Sequence, residues 1–266
     1  MGALGLWLVL LIVFTGVFAD LVAPYDPIAQ DLKGRLADPS WQHWLGTDQL
    51  GRDTLSRVIK GTQIALGVAV STTFVSMLLG LLLGLVAGYG PRWLDNSLML
   101  LFDTVYSFPS IMLALAIVTV IGPSLGTVLL VIVIGTVPAY ARLVRTSTLA
   151  VKEQEFIAAE RAMGARPPRV LFRHILPNVI GPLLIIGSMD VPVVVTVEAG
   201  LSFLGLGVRA PAPSWGRILN EGYAFIRNSP WMVIAAGLPL AITTLGFTFL
   251  GEALRDAFDP KLRRRF

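Results

Sequence analysis

Thr104-Val-Tyr-Ser-Phe-Pro-Ser-Ile-Met-Leu-Ala-Leu-Ala-Ile-Val-Thr-Val-Ile-Gly-Pro-Ser-Leu-Gly-Thr-Val-Leu-Leu-Val-Ile-Val-Ile-Gly-Thr-Val-Pro-Ala-Tyr-Ala141 runs 38 residues without a charged side chain. As one helix it would be about 57 Å long, against an apolar bilayer core of about 30 Å. It therefore crosses twice, with Gly122-Pro123 as the turn. Residues 1–19, 61–91 and 228–251 are equally free of charge, and a further apolar stretch at about 177–198 contains Asp190 and ends at Glu198. The spacing predicts six crossings, at about 3–22, 64–88, 98–121, 125–146, 177–198 and 232–252. Lipid offers the backbone no hydrogen-bond partner, so crossings are helices or a closed barrel. The length of these stretches and their lack of strict alternation favour helices. The expected fold is an all-α integral membrane protein, with residues 1–266 forming one transmembrane domain.

Composition agrees. Hydrophobic residues make up 55% of the chain, charged residues 14%, and the mean hydropathy is +0.73. Globular domains carry about 25% charged residues. With no cysteine there is neither a disulfide nor a thiolate metal site. The net charge of +4 does not mark a nucleic-acid binder, because the basic residues are sorted by side. Arg92, Arg142, Arg145, Lys152, Arg161, Arg166, Arg169, Arg173, Arg255, Lys261 and Arg263–Arg265 fall on one side of the predicted crossings, 13 of the 21 Lys and Arg. The opposite segments hold the remaining eight, offset by Asp26, Asp31, Asp38, Asp48, Asp53 and Glu221. The positive-inside bias places both termini in the cytoplasm. The tail Lys261–Arg265 is either a contact for anionic headgroups or a solvated basic end. Val17-Phe18-Ala19 resembles a signal-peptidase site, but the first span has no basic n-region and is longer than a usual h-region, so it is read as a retained span.

Residues 153–163 read as a short separate helix in the cytoplasmic loop before the fifth span. Glu153 and Glu155 suit its first turn, Gly164 stands where a left-handed cap belongs, and Pro167-Pro168 stop continuation. Phe156, Ala159 or Glu160, and Met163 share one face. A helix this short is marginal alone and needs a surface to pack on. Two readings fit: Phe156 and Met163 enter a pocket on a partner subunit, or the helix lies on its own spans or the membrane surface. In the span at 177–198, Pro177, Pro182 and Pro192 interrupt the backbone ladder. They mark either a helix lining a path or kinks that serve packing. The outer segment 199–231 opens with apolar, glycine-dense sequence and is read as a re-entrant or interfacial element.

The loop resembles the cytoplasmic Glu-Ala-Ala loop of ATP-binding-cassette (ABC) importer permeases, whose glycine and Ile-x-Pro are matched here by Gly164, Ile175 and Pro177. Further stretches are similar to the C-type permease chain of dipeptide, oligopeptide and nickel importers. They are His43-Trp-Leu-Gly-Thr-Asp-Gln-Leu-Gly-Arg-Asp53, Ser107-Phe-Pro-Ser110, Arg173-His-Ile-Leu-Pro-Asn178, Glu198-Ala-Gly-Leu-Ser-Phe-Leu-Gly-Leu-Gly207, Pro213-Ser-Trp-Gly216 and Leu254-Arg-Asp-Ala-Phe-Asp-Pro260. The resemblance covers about residues 20–264. It implies a type I importer permease fold, with Phe156, Ala159, Glu160, Met163 and Gly164 coupling to the ATPases. One departure stands out: the family's glutamate position is Ala158 here, and Glu160 stands where alanine is usual. Two residues on a helix turn the side chain by about 200°, so this carboxylate faces elsewhere.

No phosphate loop is encoded, since Lys60-Gly-Thr62 lacks the preceding glycine loop, and no catalytic or metal motif accompanies the two histidines, His43 and His174. Asp103, Asp190, Glu198 and Glu252 lie in or at the ends of spans, where acids face a bundle interior or water. Asp103 and Glu252 read as structural. For Asp190 two readings stand, contact with a cationic cargo group or pairing inside the bundle. Asp190, Pro192 and Glu198 are the candidate substrate-path residues. The resemblance implies half of a peptide-translocation path in the bacterial cell membrane, with a second permease chain, two ABC ATPase subunits that hold ATP and Mg, and an extracytoplasmic substrate-binding protein. It implies no cofactor on this chain, no enzyme activity of its own and no nucleic-acid partner. The alternatives are the same fold carrying nickel or another small cargo, and a secondary transporter or channel. A secondary transporter calls for inverted repeats and paired broken helices, which the sequence does not display.

Overall fold

The computed structural model describes residues 1–258. The basic tail Lys261–Arg265 lies outside the described residues, as does the end of the Leu254–Pro260 motif. Within them the regular structure is helical, with one isolated bridge between Thr47 and Asp53. Four helices are long and apolar enough to cross a bilayer: α3 (Thr54–Tyr89), α6 (Leu125–Lys152), the continuous run Pro167–Phe203 and α11 (Trp231–Phe258). The run Pro167–Phe203 comprises α8 (Pro167–Val170), one π-helical turn (Leu171–Ile175) and α9 (Leu176–Phe203).

The predicted crossing at 98–121 is not one straight helix. α4 (Arg92–Tyr106) and α5 (Ser110–Ile121) meet at 90° across Ser107-Phe108-Pro109. Pro109 supplies no donor and disfavours the helical conformation at Phe108, so the ladder stops there. The predicted first span is α1 (Gly2–Val17), 16 residues, followed after Phe18 by the single turn α2 (Ala19–Val22). At about 24 Å, α1 is shorter than the bilayer core. The stretch Thr54–Ile59, expected to turn helical ahead of the span at 64–88, is the start of α3, which the Asp53 carboxylate caps by accepting from Ser56 N at 2.7 Å. This adds Arg57 and Lys60 to the helix, so its outer turns stand clear of the apolar slab. The prolines of α9 do not break it: Pro182 and Pro192 sit within one continuous helix.

Small residues set how closely the spans approach. Gly80, Gly84 and Gly88 recur every fourth position on α3 and face Tyr140, Val144 and Thr148 of α6. A methyl group at Gly84 would lie 2.5 Å from the Ala141 carbonyl, so only glycine admits this contact. The same device joins α1 to α11 in antiparallel fashion, with Gly2 against Ala253, Gly5 against Leu250 and Gly246 against Val9. Gly16 of α1 meets Thr62 and Leu66 near the start of α3, which places the α1 N-terminus at the opposite end of the bundle. The far end of α11 lies beside it.

Three apolar clusters fill the interior. The largest is centred on Trp215 of α10 (Trp215–Ala224), a helix laid over the end of the bundle where α3 begins, whose indole N–H donates to Val58 O at 3.0 Å. Leu201–Phe203, expected in the outer insert, complete α9, and α10 is the helix within the rest of the insert.

Candidate coupling and translocation surfaces

The loop helix is α7 (Glu155–Ala162), shorter than the predicted 153–163. Glu153 belongs to the end of α6, its N–H donating to Leu149 O at 3.3 Å, so only Glu155 occupies the first turn of α7. The C-terminus is a Schellman turn. Gly164 has φ +83°, its N–H donates to Arg161 O at 3.0 Å, and Ala165 N–H donates to Glu160 O at 3.0 Å.

The helix packs on its own spans through one face and leaves the other open. Ile157 is fully buried among Tyr140, Val144, Val170, Ile175 and Val179, fixing α7 to its own spans. Phe156 and Met163 point away, 45% and 76% exposed, with Phe172 exposed nearby and Ala159 on the open face. Glu160 does not share that face. Its Oε1 lies 3.3 Å from His174 Nε2, an ion-pair distance without hydrogen-bond alignment, and the His174 ring sits 6.0 Å from that of Phe156. Tyr89, at the end of α3, lies under Lys152 (5.7 Å) and Arg161 (6.0 Å), tying α3, α6 and α7 together. Sequence reasoning missed Ile157 and Tyr89. Neither falls on the stripe that drew attention, and Ile157 is the helix's only β-branched residue.

The span acids do not converge. Asp103 pairs with Arg142 (2.5 Å) and Asp95 with Arg145 (2.6 Å), each joining α4 to α6. Asp190 of α9 faces the Tyr140 phenol of α6 without an aligned hydrogen bond. Glu198 is fully buried and accepts from Ser202 Oγ at 2.6 Å, while Ser202 Oγ in turn accepts from Val208 N–H at 3.4 Å. It anchors the start of the outer insert. A cavity of about 600 Å³ opens between the α4–α5 elbow, α6 and α9, and a smaller one of about 320 Å³ lies between α9 and α11. Pro192 lines the smaller, and Asp190 and Glu198 line neither.

Beneath α10 the His43–Asp53 stretch folds into a buried ionic network. Asp48 accepts from Arg52 Nε at 2.6 Å and from Arg57, while Glu221 of α10 holds Arg52 (3.0 Å), Arg57 (2.8 Å) and Arg217 (2.8 Å). Burial alone would raise the Glu221 carboxyl, but the Arg57 charge and donors from Arg217, Arg57 and Gln49 outweigh it and hold it at about 2. His43 Nδ1 lies 2.9 Å from Asp53 Oδ1.

Residues 80–264 match the family described as binding-protein-dependent transport system inner membrane component, and residues 1–39 match the N-terminal transmembrane domain of oligopeptide transport permease C. The chain is 39% identical over 259 residues to the dipeptide transport system permease protein DppC of Alkalihalophilus pseudofirmus, covering 97% of this chain and 85% of that protein. It is 41% identical to the glutathione transport system permease protein GsiD of Pectobacterium atrosepticum, covering 96% and 85%. It is 40% identical to the di/tripeptide transport system permease protein DppC of Pseudomonas aeruginosa, covering 98% and 89%. In fold it resembles a chain of the MetNI methionine ABC transporter in an inward-facing conformation, with a TM-score of 0.63 at 20% identity over 76% of this chain and 97% of that one. The chain belongs to the binding-protein-dependent transport system inner membrane components, as a multi-pass permease of an ABC importer of the peptide group.

Proposed function

We propose that this chain forms half of the translocation path of an ABC importer for short peptides, paired with a second permease chain. Two cytoplasmic ATPase subunits, which hold ATP and Mg, drive it, and an extracytoplasmic binding protein delivers the peptide. The chain carries no cofactor and no nucleotide site of its own. Both termini lie in the cytoplasm with α7, and α1 together with the α4–α5 elbow complete six crossings. Phe156, Ala159, Met163 and the Gly164 turn form the ATPase contact, with Glu160 set to one side.

The observation that carries this reading is the division of labour on α7. Ile157 and the Tyr89 contacts bind the helix to the spans, while Phe156 and Met163 remain exposed. A rigid handle with an apolar outer face transmits a push, and the push does work only if the ATPases contact it differently in two states of the bundle. The test is recovery of the ATPase subunits on tagged permease together with peptide uptake. Phe156→Ala combined with Met163→Ala is expected to abolish both while membrane abundance stays normal. Normal recovery and uptake in that double variant would remove α7 as the docking site.

A further inference from the structure

The 600 Å³ cavity is mostly apolar, with Val131, Val197 and Leu204 in its wall and three aromatic rings, Tyr106, Phe108 and Phe203. Tyr106 stands at the α4–α5 elbow. The Arg142 guanidinium lies over that ring, 4.8 Å from its centroid. Arg142 donates from Nη2 to Asp103 Oδ1 at 2.5 Å and makes no other ion pair among the described residues. A guanidinium has five N–H donors in a planar fork, so most of them are uncommitted.

Exposure and depth together define what this cation meets. The Arg142 and Asp103 side chains are 37% and 68% exposed. Arg142 stands 17 residues into α6, about 26 Å from its outer end. That leaves it within a turn of the inner edge of an apolar core of about 30 Å, where its head reaches water or a polar partner. Stacking on Tyr106 orients the guanidinium, and the single contact to an open carboxylate is one that a better acceptor displaces. A carboxylate that engages both arms of the fork is such an acceptor.

We propose that Arg142, seated on Tyr106, binds the free C-terminal carboxylate of a short peptide in transit, exchanging Asp103 for it, while the cavity takes the peptide's apolar side chain. This inference rests on the peptide-import reading and adds the group on this chain that selects the cargo.

The test uses the complete transporter in liposomes, with uptake of a radiolabelled dipeptide ending in leucine. Arg142→Gln is expected to lower maximal uptake about tenfold or more, the scale of a lost charge-assisted pair. Arg142→Lys is expected to recover part of it. Asp103→Asn removes the competitor for the guanidinium and is expected to lower the dipeptide concentration that gives half-maximal uptake, because the incoming carboxylate then displaces nothing. Equal losses in Arg142→Gln and Asp103→Asn would mean that the pair only joins α4 to α6, and the inference would fall. Should Arg142→Gln fail to assemble, Tyr106→Leu keeps both charges and decides the matter: reduced maximal uptake supports the site, and wild-type uptake overturns it. Wild-type liposomes that take up no dipeptide or tripeptide would remove the peptide reading and this inference with it.

Discussion

The two ends of the molecule treat charge in opposite ways. At the α10 end Asp48, Arg52, Arg57 and Glu221 are brought inside and satisfied by one another, beneath a helix whose Trp215 is fully buried. At the α7 end the ionic and stacking contacts are looser and part-exposed, and large apolar side chains are left uncovered. A buried network is costly to disturb because each partner removed strands another charge. It therefore holds one geometry. An exposed apolar patch on a short helix is instead a surface awaiting a second protein. The α10 end is built as a fixed lid, and the α7 end, on the proposed reading, as a handle.

The largest expected effect breaks the lid. Arg57→Met removes one of the two cations that Asp48 and Glu221 share, leaving two buried carboxylates on Arg52, and a loss of about 3–5 kcal/mol is expected. The check is thermal unfolding of the detergent-solubilised protein, with Glu221→Gln as the milder companion. The same network gives the lid an acid limit. Glu221 is held at about 2 when folded against an ordinary value of 4.5, so its contribution is complete above that ordinary value and disappears as pH falls through the folded one. Glu221→Gln is expected to flatten this acid-side decline; a variant that declines as steeply as wild type would show that another carboxylate is responsible.

The handle is tested by separating its two faces. Ile157→Ala empties a fully buried position and is expected to weaken α7 docking by about 2–4 kcal/mol. It would read out as faster hydrogen exchange over 155–162. Phe156→Ala is expected to leave that exchange unchanged and to cost about 2 kcal/mol in ATPase binding. Faster exchange in Phe156→Ala would mean its ring serves the spans, not a partner. Gly164→Val comes next, at about 1–2 kcal/mol, because a β-branched residue reaches φ +83° only with strain.

Charge-free runs made four of the six expected spans legible, and spacing the glycine cap, since both are local: apolar runs state where lipid is, and a left-handed turn needs its glycine whatever surrounds it. The elbow at Ser107–Pro109 was not read, although Pro109 was in view, because a run of the right length looks the same straight or bent. The helical start of α3 around Thr54–Ile59 was legible, but its anchoring was not: Arg57 and Lys60 find their partners in Glu221, 164 positions from Arg57, and in Asp20. The Gly80–Gly84–Gly88 stripe was present in the sequence, but its meaning depends on which helix lies opposite. For the candidate path residues, helix position alone does not reveal which way a side chain turns, and Glu198 proved to face the insert.

The smallest expected effect concerns Glu160, and it sharpens the contrast between the two faces of α7. Its carboxylate lies beside His174 on the inner side, while Phe156 and Met163 occupy the outer. A part-exposed pair of this kind contributes under about 1 kcal/mol. Glu160→Ala is therefore expected to leave ATPase recovery intact and to lower uptake only slightly, whereas Ala158→Glu, which restores a carboxylate at the position usual in the family, places it among exposed residues. Measured side by side, ATPase recovery should respond to Ala158→Glu and not to Glu160→Ala. A large loss of recovery in Glu160→Ala would show that Glu160 turns outward when the ATPase binds, and the inner face of the helix would then be part of the contact.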